Sequence, residues 1–408
     1  MLINSRLIGT QAMSQLITRF QQLIGAPSIS SALPEFDSSN KQVIDLLAEW
    51  LSPLGFDCEI IKVPKERIGE ADKYNLIATL GSGPGGLVLS GHTDTVPCNP
   101  ERWSSDPFKL TERDGKLYGL GTCDMKGFFA LAIEAIENIL QQLGNPKQLN
   151  LQQPLIILAT ADEESSMSGA RALVEQGKPK GRYAIIGEPT GLKPIRMHKG
   201  IMMETIRLTG NAGHSSNPAL GINAIDAMHD VMTELKAYRA QLAEENHNQD
   251  FEIEVPTLNF GCLHGGDNPN RICGSCELAF DLRALPGMSN EQLRHEMTER
   301  IKPIASRHNV KFELESLFPG VPSFATDKNA ELIQLAEKLT KHQAHAVAFA
   351  TEAPFMQQLG METVVLGPGS IDQAHQLDEF IDMGQLQPTV ELLSQFINTF
   401  CLNKTPTT

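Results

Sequence analysis

His92 and Asp94 stand two residues apart in Gly91-His92-Thr93-Asp94, so both side chains reach one face of an extended segment. An imidazole can bind a metal, and a nearby carboxylate can accept its other ring N–H and fix its orientation. Three adjacent acids, Asp162-Glu163-Glu164, close an apolar run. Such a triplet is commonly a solvated charge run, but at the end of a buried strand its repulsion and desolvation call for cations. One carboxylate can then bind metal while its neighbour serves as general base. Glu188 repeats the pattern in Gly187-Glu188-Pro189-Thr190, where Pro189 holds it extended. His375 supplies a second imidazole between Asp372 and Asp378. Asp124 lies among glycines in Gly121-Thr122-Cys123-Asp124-Met125-Lys126-Gly127, ahead of a helical pattern. It reads as a helix N-cap or as a carboxylate bridging two metals. Hard oxygen donors with two imidazoles suit metal-assisted hydrolysis.

Four apolar runs must carry these groups: 87–90 before His92, 155–158 before Glu163, 184–186 before Glu188, and 363–366 upstream of His375. The runs are continuous rather than alternating, as in a sheet covered on both faces. In an open α/β sheet, ligands bind in the crevice beyond the strand ends. Amphipathic or apolar helices are expected over 38–54, 127–140 and 328–339. From about residue 191 the texture changes. Segments 202–208 and 276–285 alternate as half-exposed antiparallel strands do, with helices expected over 223–246 and 290–307 and a loop over 265–270. The fold class is therefore α/β, with a largely parallel sheet between helices. Residues 1–190 and 311–408 are expected to form a discontinuous catalytic domain, interrupted by a smaller α+β domain at 191–310. The tail 404–408 is expected to be disordered.

With 408 residues, 41% hydrophobic and 20% charged, the chain has the composition of a soluble enzyme with two domains. Its formal charge of −15 argues against nucleic acid or an anionic membrane as partner and tolerates a cationic substrate. No apolar run is long enough to span a bilayer, and the first twenty residues do not resemble a secretory signal. Seven scattered cysteines fit reduced thiols in a cytoplasm. Cys273 and Cys276 form a lone C-x-x-C and are expected to be buried strand cysteines.

These strings together resemble the M20 metallopeptidase family, over about residues 12–401. Gly213-His214-Ser215-Ser216 and Ala374-His375-Gln376 belong to the same likeness. The segments around His264, Asn270, Arg283, Glu352 and Gly369 are most similar to members that remove acetyl from N2-acetyl-L-ornithine, a step of arginine biosynthesis. The chain has Arg283-Ala284-Leu285 where those members typically carry Arg-Pro-Leu.

The resemblance implies two divalent ions, Zn²⁺ foremost, with Co²⁺ or Mn²⁺ tolerated. His92, Asp124 and Glu188 would hold one ion. Asp124, Glu164 and His375 would hold the other, with Asp124 shared. Glu163 would be the general acid/base acting on a water between the metals, and Asp94 would orient His92. A cis peptide between Asp124 and Met125 is implied, as is a homodimer through 191–310. His214 would stabilise the oxyanion in its own or the partner's site.

Asn270 and Arg283 are candidates for gripping the substrate's α-carboxylate, by a bidentate fork in the case of Arg283. Glu352 would face a side-chain ammonium, and Gly369 would line the pocket wall. Against Arg283 stands the plain reading of an exposed strand residue. The rival functions are a succinyl-diaminopimelate desuccinylase, an aminoacylase or a dipeptidase of the same family. Further off is a non-catalytic metal-dependent binding protein.

Overall fold

A six-stranded stretch of mixed sheet organises the first of two compact units in the computed structural model, which describes residues 10–66, 68–143 and 151–402. The expected tail at 404–408 lies outside the described residues. The strands run in the order Asp57–Lys62, Tyr74–Leu80, Leu155–Thr160, Leu87–His92, Tyr183–Pro189 and Glu362–Gly367. The last four are joined by parallel pairings, and the first two are antiparallel to their neighbours. The fold is thus α/β with a mixed, largely parallel central sheet.

Register explains why the chemistry collects at one end. His92 pairs with Thr160, and Ser90 pairs with Ile186. Parallel neighbours in this register end side by side, so the residues that follow each strand emerge together. The strands Leu87–His92, Leu155–Thr160 and Tyr183–Pro189 are buried at every position, as continuous apolar runs require.

Helix Lys126–Leu143 packs into the same core with Phe128, Phe129, Leu131, Ile133 and Ile136, beside helices Thr10–Ile24 and Leu386–Ile397. Phe128 and Phe129 are packed edge to face. A helix apolar on nearly all sides belongs inside a domain. A small three-stranded sheet, Thr111–Arg113, Lys116–Tyr118 and Phe380–Asp382, completes the frame near Asp124.

The second unit comprises 197–325 with 345–350. Its antiparallel sheet has the order Thr257–Gly265, Ser275–Arg283, Met202–Thr209, Lys311–Ser316. Helices Ala224–Glu245 and Asn290–His308 cover it through Met228, Val231, Leu235, Leu293, Met297 and Ile301. Asn223 caps the first helix by accepting from Ile225 N, and Ser289 caps the second by accepting from Gln292 N. The unit's two ends meet, because Met197 pairs with Ala325 and His198 with Phe324. The division therefore falls later than the expected 190/191 and 310/311. Lys311 pairs with Thr209, which ties the strand at 311–316 to this sheet. Cys276 is a buried strand residue, whereas Cys273 is buried just outside the strand, with its thiol directed to the carbonyl of Ser275. Among the described residues no helix is long and apolar enough to cross a membrane.

Candidate metal centre

His92 is buried at the end of its strand, with Nε2 3.0 Å from Asp124 Oδ1 and 3.7 Å from Glu188 Oε1. Asp124 spreads its two oxygens. Oδ1 faces His92, while Oδ2 lies 3.7 Å from His375 Nε2. His375 meets Glu164 Oε2 at 2.9 Å, and 56% of its side chain remains exposed. All five expected ligands thus come together within the first unit. Two groups of donor atoms each fit around one point: His92, Asp124 and Glu164, and His92, Glu163 and Glu188. The second group includes Glu163, which the resemblance keeps off the metal. The Asp124–Met125 peptide is cis.

Two side chains act differently from expectation. Asp94 orients His92 through its carbonyl, 3.0 Å from Nδ1, while its carboxylate stands 3.8 Å away. That carboxylate instead accepts backbone N–H bonds from Glu163 (3.3 Å) and Glu164 (3.1 Å). It sets the two glutamates rather than the imidazole. Asp162 turns away at a φ of 63° and accepts from the hydroxyls of Ser165, Ser166 and Ser168. The acidic triplet is split between structure and chemistry.

The electrostatics of the cluster ask for cations. Burial pushes the carboxyls of Glu163 and Glu188 well above the ordinary range, and neighbouring acids push them further. Burial and Asp124 raise Glu164 in the same direction. Burial alone would lower the pKa of His92, but Glu188 and Asp124 hold it well above its usual value. His375 is raised, chiefly by its bond to Glu164. Asp124 is lowered despite burial, through its contacts with His92. Buried acids in such excess stay ionised only with added positive charge. A divalent cation supplies it, so the donor set fits a metal.

The remaining candidates lie nearby or in the second unit. Glu352 is 1% exposed, and its Oε2 lies 2.7 Å from Thr160 Oγ1. Its Oε1 has no hydrogen-bond partner among the described residues. Gly369, at a φ of 83°, bonds through N–H to Gln385 and accepts from Gly191 N.

In the second unit, His214 pairs in register with Arg271, and its Nδ1 receives the Ser216 N–H at 3.2 Å. The Asn270 carbonyl accepts from Ser215 N, which brings Asn270 beside His214. Arg283 already holds a carboxylate, that of Asp281, at 2.8 Å. The sequence assigns no role to two buried residues near Asp124, Lys126 and Glu379. Glu379 follows Asp378 in a polar stretch, and nothing in that pattern distinguishes it from a surface acid.

Acids and histidines gathered beyond the ends of parallel strands, in groups that fit a metal, suit metal-assisted hydrolysis. The chain belongs to peptidase family M20/M25/M40, whose pattern it matches over residues 88–399. It is 49% identical to the acetylornithine deacetylase of Proteus mirabilis over 386 residues, 95% of this chain and 97% of that one. The acetylornithine deacetylase of Pasteurella multocida is also 49% identical, over 94% of this chain and 97% of its own. Among solved structures, the M20 metallo-carboxypeptidase of Sulfolobus solfataricus superposes with a TM-score of 0.70 at 17% identity, over 96% and 99% of the two chains. A dinuclear metal-binding M20 peptidase from Bacillus subtilis gives 0.64 at 17% identity, over 95% and 99%.

Proposed function

We propose that this chain hydrolyses N2-acetyl-L-ornithine to acetate and L-ornithine, a step of arginine biosynthesis. The observation that carries the substrate is the 49% identity, over nearly the full length of both chains, to relatives so named. His92, Asp124 and Glu188 hold one divalent ion, and Asp124, Glu164 and His375 the other. The mixed oxygen and imidazole donors favour Zn²⁺ and accept Co²⁺ or Mn²⁺. When bound, such ions polarise the amide carbonyl and acidify water.

Glu163 is the proton carrier. Its raised pKa, caused by burial and by Glu188 and Glu164, suits a carboxyl that must both accept and return a proton. It takes one from the attacking water and passes it to the departing amine nitrogen. Asp94 holds the Glu163 backbone in place, which keeps that carboxyl aimed. His214 donates to the oxyanion. Asn270 and Arg283 grip the α-carboxylate, and the backbone at Gly369 lines the pocket. The burial of Glu352 and its bond to Thr160 favour a supporting role beneath the centre over contact with an ammonium.

We also infer a cytoplasmic homodimer formed through the second unit. The free state of all seven cysteines supports the compartment.

The deciding experiment is hydrolysis of N-acetylornithine, N-acetylmethionine, N-succinyl-diaminopimelate and a dipeptide by metal-reconstituted protein. N-acetylornithine should give the highest kcat/KM. Preference for another member of the panel rejects the substrate but not the chemistry, and no turnover of any rejects both.

A further inference from the structure

Three backbone N–H groups of one turn converge on a single buried carboxylate. Glu379 is 1% exposed. Its Oε1 accepts from Cys123 N at 2.7 Å, Asp124 N at 3.0 Å and Gly121 N at 3.1 Å, and its Oε2 also lies 3.0 Å from Gly121 N. Successive inward-pointing N–H groups form an anion-binding concavity. Here the anion is a side chain of the same protein.

Register delivers it. Phe380 pairs with Tyr118, so the preceding residue, Glu379, falls beside Gly119, whose N–H bonds to the Glu379 carbonyl at 3.0 Å. From there the side chain reaches the 121–124 turn. Gly121 has a φ of 88°, in the left-handed region where glycine is unstrained, and a Cβ there would sit 2.6 Å from Lys126 Cε.

We propose that Glu379 is a positioning residue for Asp124, resting on the reading of Asp124 as the carboxylate shared by both metals. With the backbone held at residues 121, 123 and 124, the Asp124 side chain keeps only its two torsions. Its oxygens can then divide between His92 and His375, as the 3.0 and 3.7 Å distances record. Glu379 suits the task because both its oxygens accept here, and the turn presents backbone donors to them. Glutamine keeps one oxygen for the crowded Oε1 position but turns an amide N–H toward Gly121 N. Alanine removes every acceptor.

The test uses full-length, metal-free protein titrated with Co²⁺ by calorimetry and by its visible absorption, with circular dichroism and kcat and KM measured alongside. Glu379→Ala should bind Co²⁺ about 10–100-fold more weakly. Its cobalt spectrum should change, and kcat should fall with little change in KM. Glu379→Gln should fall between wild type and alanine.

A folded Glu379→Ala that merely melts earlier, with Co²⁺ affinity and spectrum intact, overturns the proposal. If the alanine variant does not fold, wild-type affinity and spectrum in Glu379→Gln overturn it equally. Asp124→Asn separates the two readings. Wild-type binding of two equivalents by that variant removes the shared-ligand assignment itself. Loss there, with normal binding in the Glu379 variants, removes only the positioning role.

Discussion

Replacing Glu352 by glutamine should make the metal-free protein more resistant to unfolding at alkaline pH. Thr160 has one hydroxyl proton but two oxygen neighbours, the Gly91 carbonyl at 3.0 Å and Glu352 Oε2 at 2.7 Å. The Thr160 hydroxyl donates to Glu352 Oε2, the shorter of its two contacts, and a neutral carboxyl accepts that bond as a carboxylate does. Burial favours the neutral form, lifting the carboxyl from 4.5 to about 7 against the opposing influence of Thr160 and His92, with Asp94 adding to the rise.

The sign follows from linkage. A raised folded pKa contributes stability that is complete below the unfolded value and is lost as pH rises through the folded one. The interval from 4.5 to about 7 corresponds to about 3 kcal/mol. Most of it, about 2–3 kcal/mol, disappears between about pH 5 and 8. Glutamine accepts the same bond through its amide oxygen and never ionises, so Glu352→Gln should gain that amount over wild type across the interval.

The assay is urea unfolding of chelator-treated proteins at both pH values. The signal is fluorescence of Trp50 and Trp103, both in the first unit. Parallel pH dependences in the two proteins would refute the neutral-acid argument. So would a glutamine variant weakened equally at both values.

Three further outcomes are expected. Glu163→Gln should lower kcat by about 10²–10⁴-fold while bound metal, measured by elemental analysis, stays at the wild-type level. A normal rate sinks the proton-carrier assignment. His214→Ala should lower kcat far more than it raises KM in steady-state kinetics, and the reverse pattern rejects the oxyanion role. Gly187→Ala would set a Cβ 2.3 Å from two ring atoms of Phe128, an overpacked core contact costing about 1–3 kcal/mol. An unchanged urea midpoint would show that Phe128 can move aside freely.

Much of the centre was legible because hydrophobic runs are local and their ends are easily found. His92, Glu163, Glu164 and Glu188 follow directly from strands whose apolar continuity marks them as buried. Helix Lys126–Leu143 was visible for the same reason, since its apolar residues occupy almost every face. What stayed hidden depends on register between distant segments. Nothing local distinguishes the Asp94 carbonyl from its carboxylate as the partner of His92, or shows that three serines draw Asp162 aside. Glu379 acquires its place only because Phe380 pairs with Tyr118, more than 250 positions away. The end of the second unit was misplaced for a related reason. The strand Lys311–Ser316 reveals its allegiance through pairing with Met202–Thr209, not through composition.

The meeting of the second unit's two ends bears on how the chain assembles. Pairing Tyr183 with Glu362 closes a very long loop, and the entropy of closure grows with the logarithm of loop length. Once Met197 lies against Ala325, some 130 residues drop out of that loop, leaving about 50 to be gathered. The later closure then costs about 1 kcal/mol less. If the Met197–Ala325 pairing forms first, the path for the strand that leads to His375 is the shorter one.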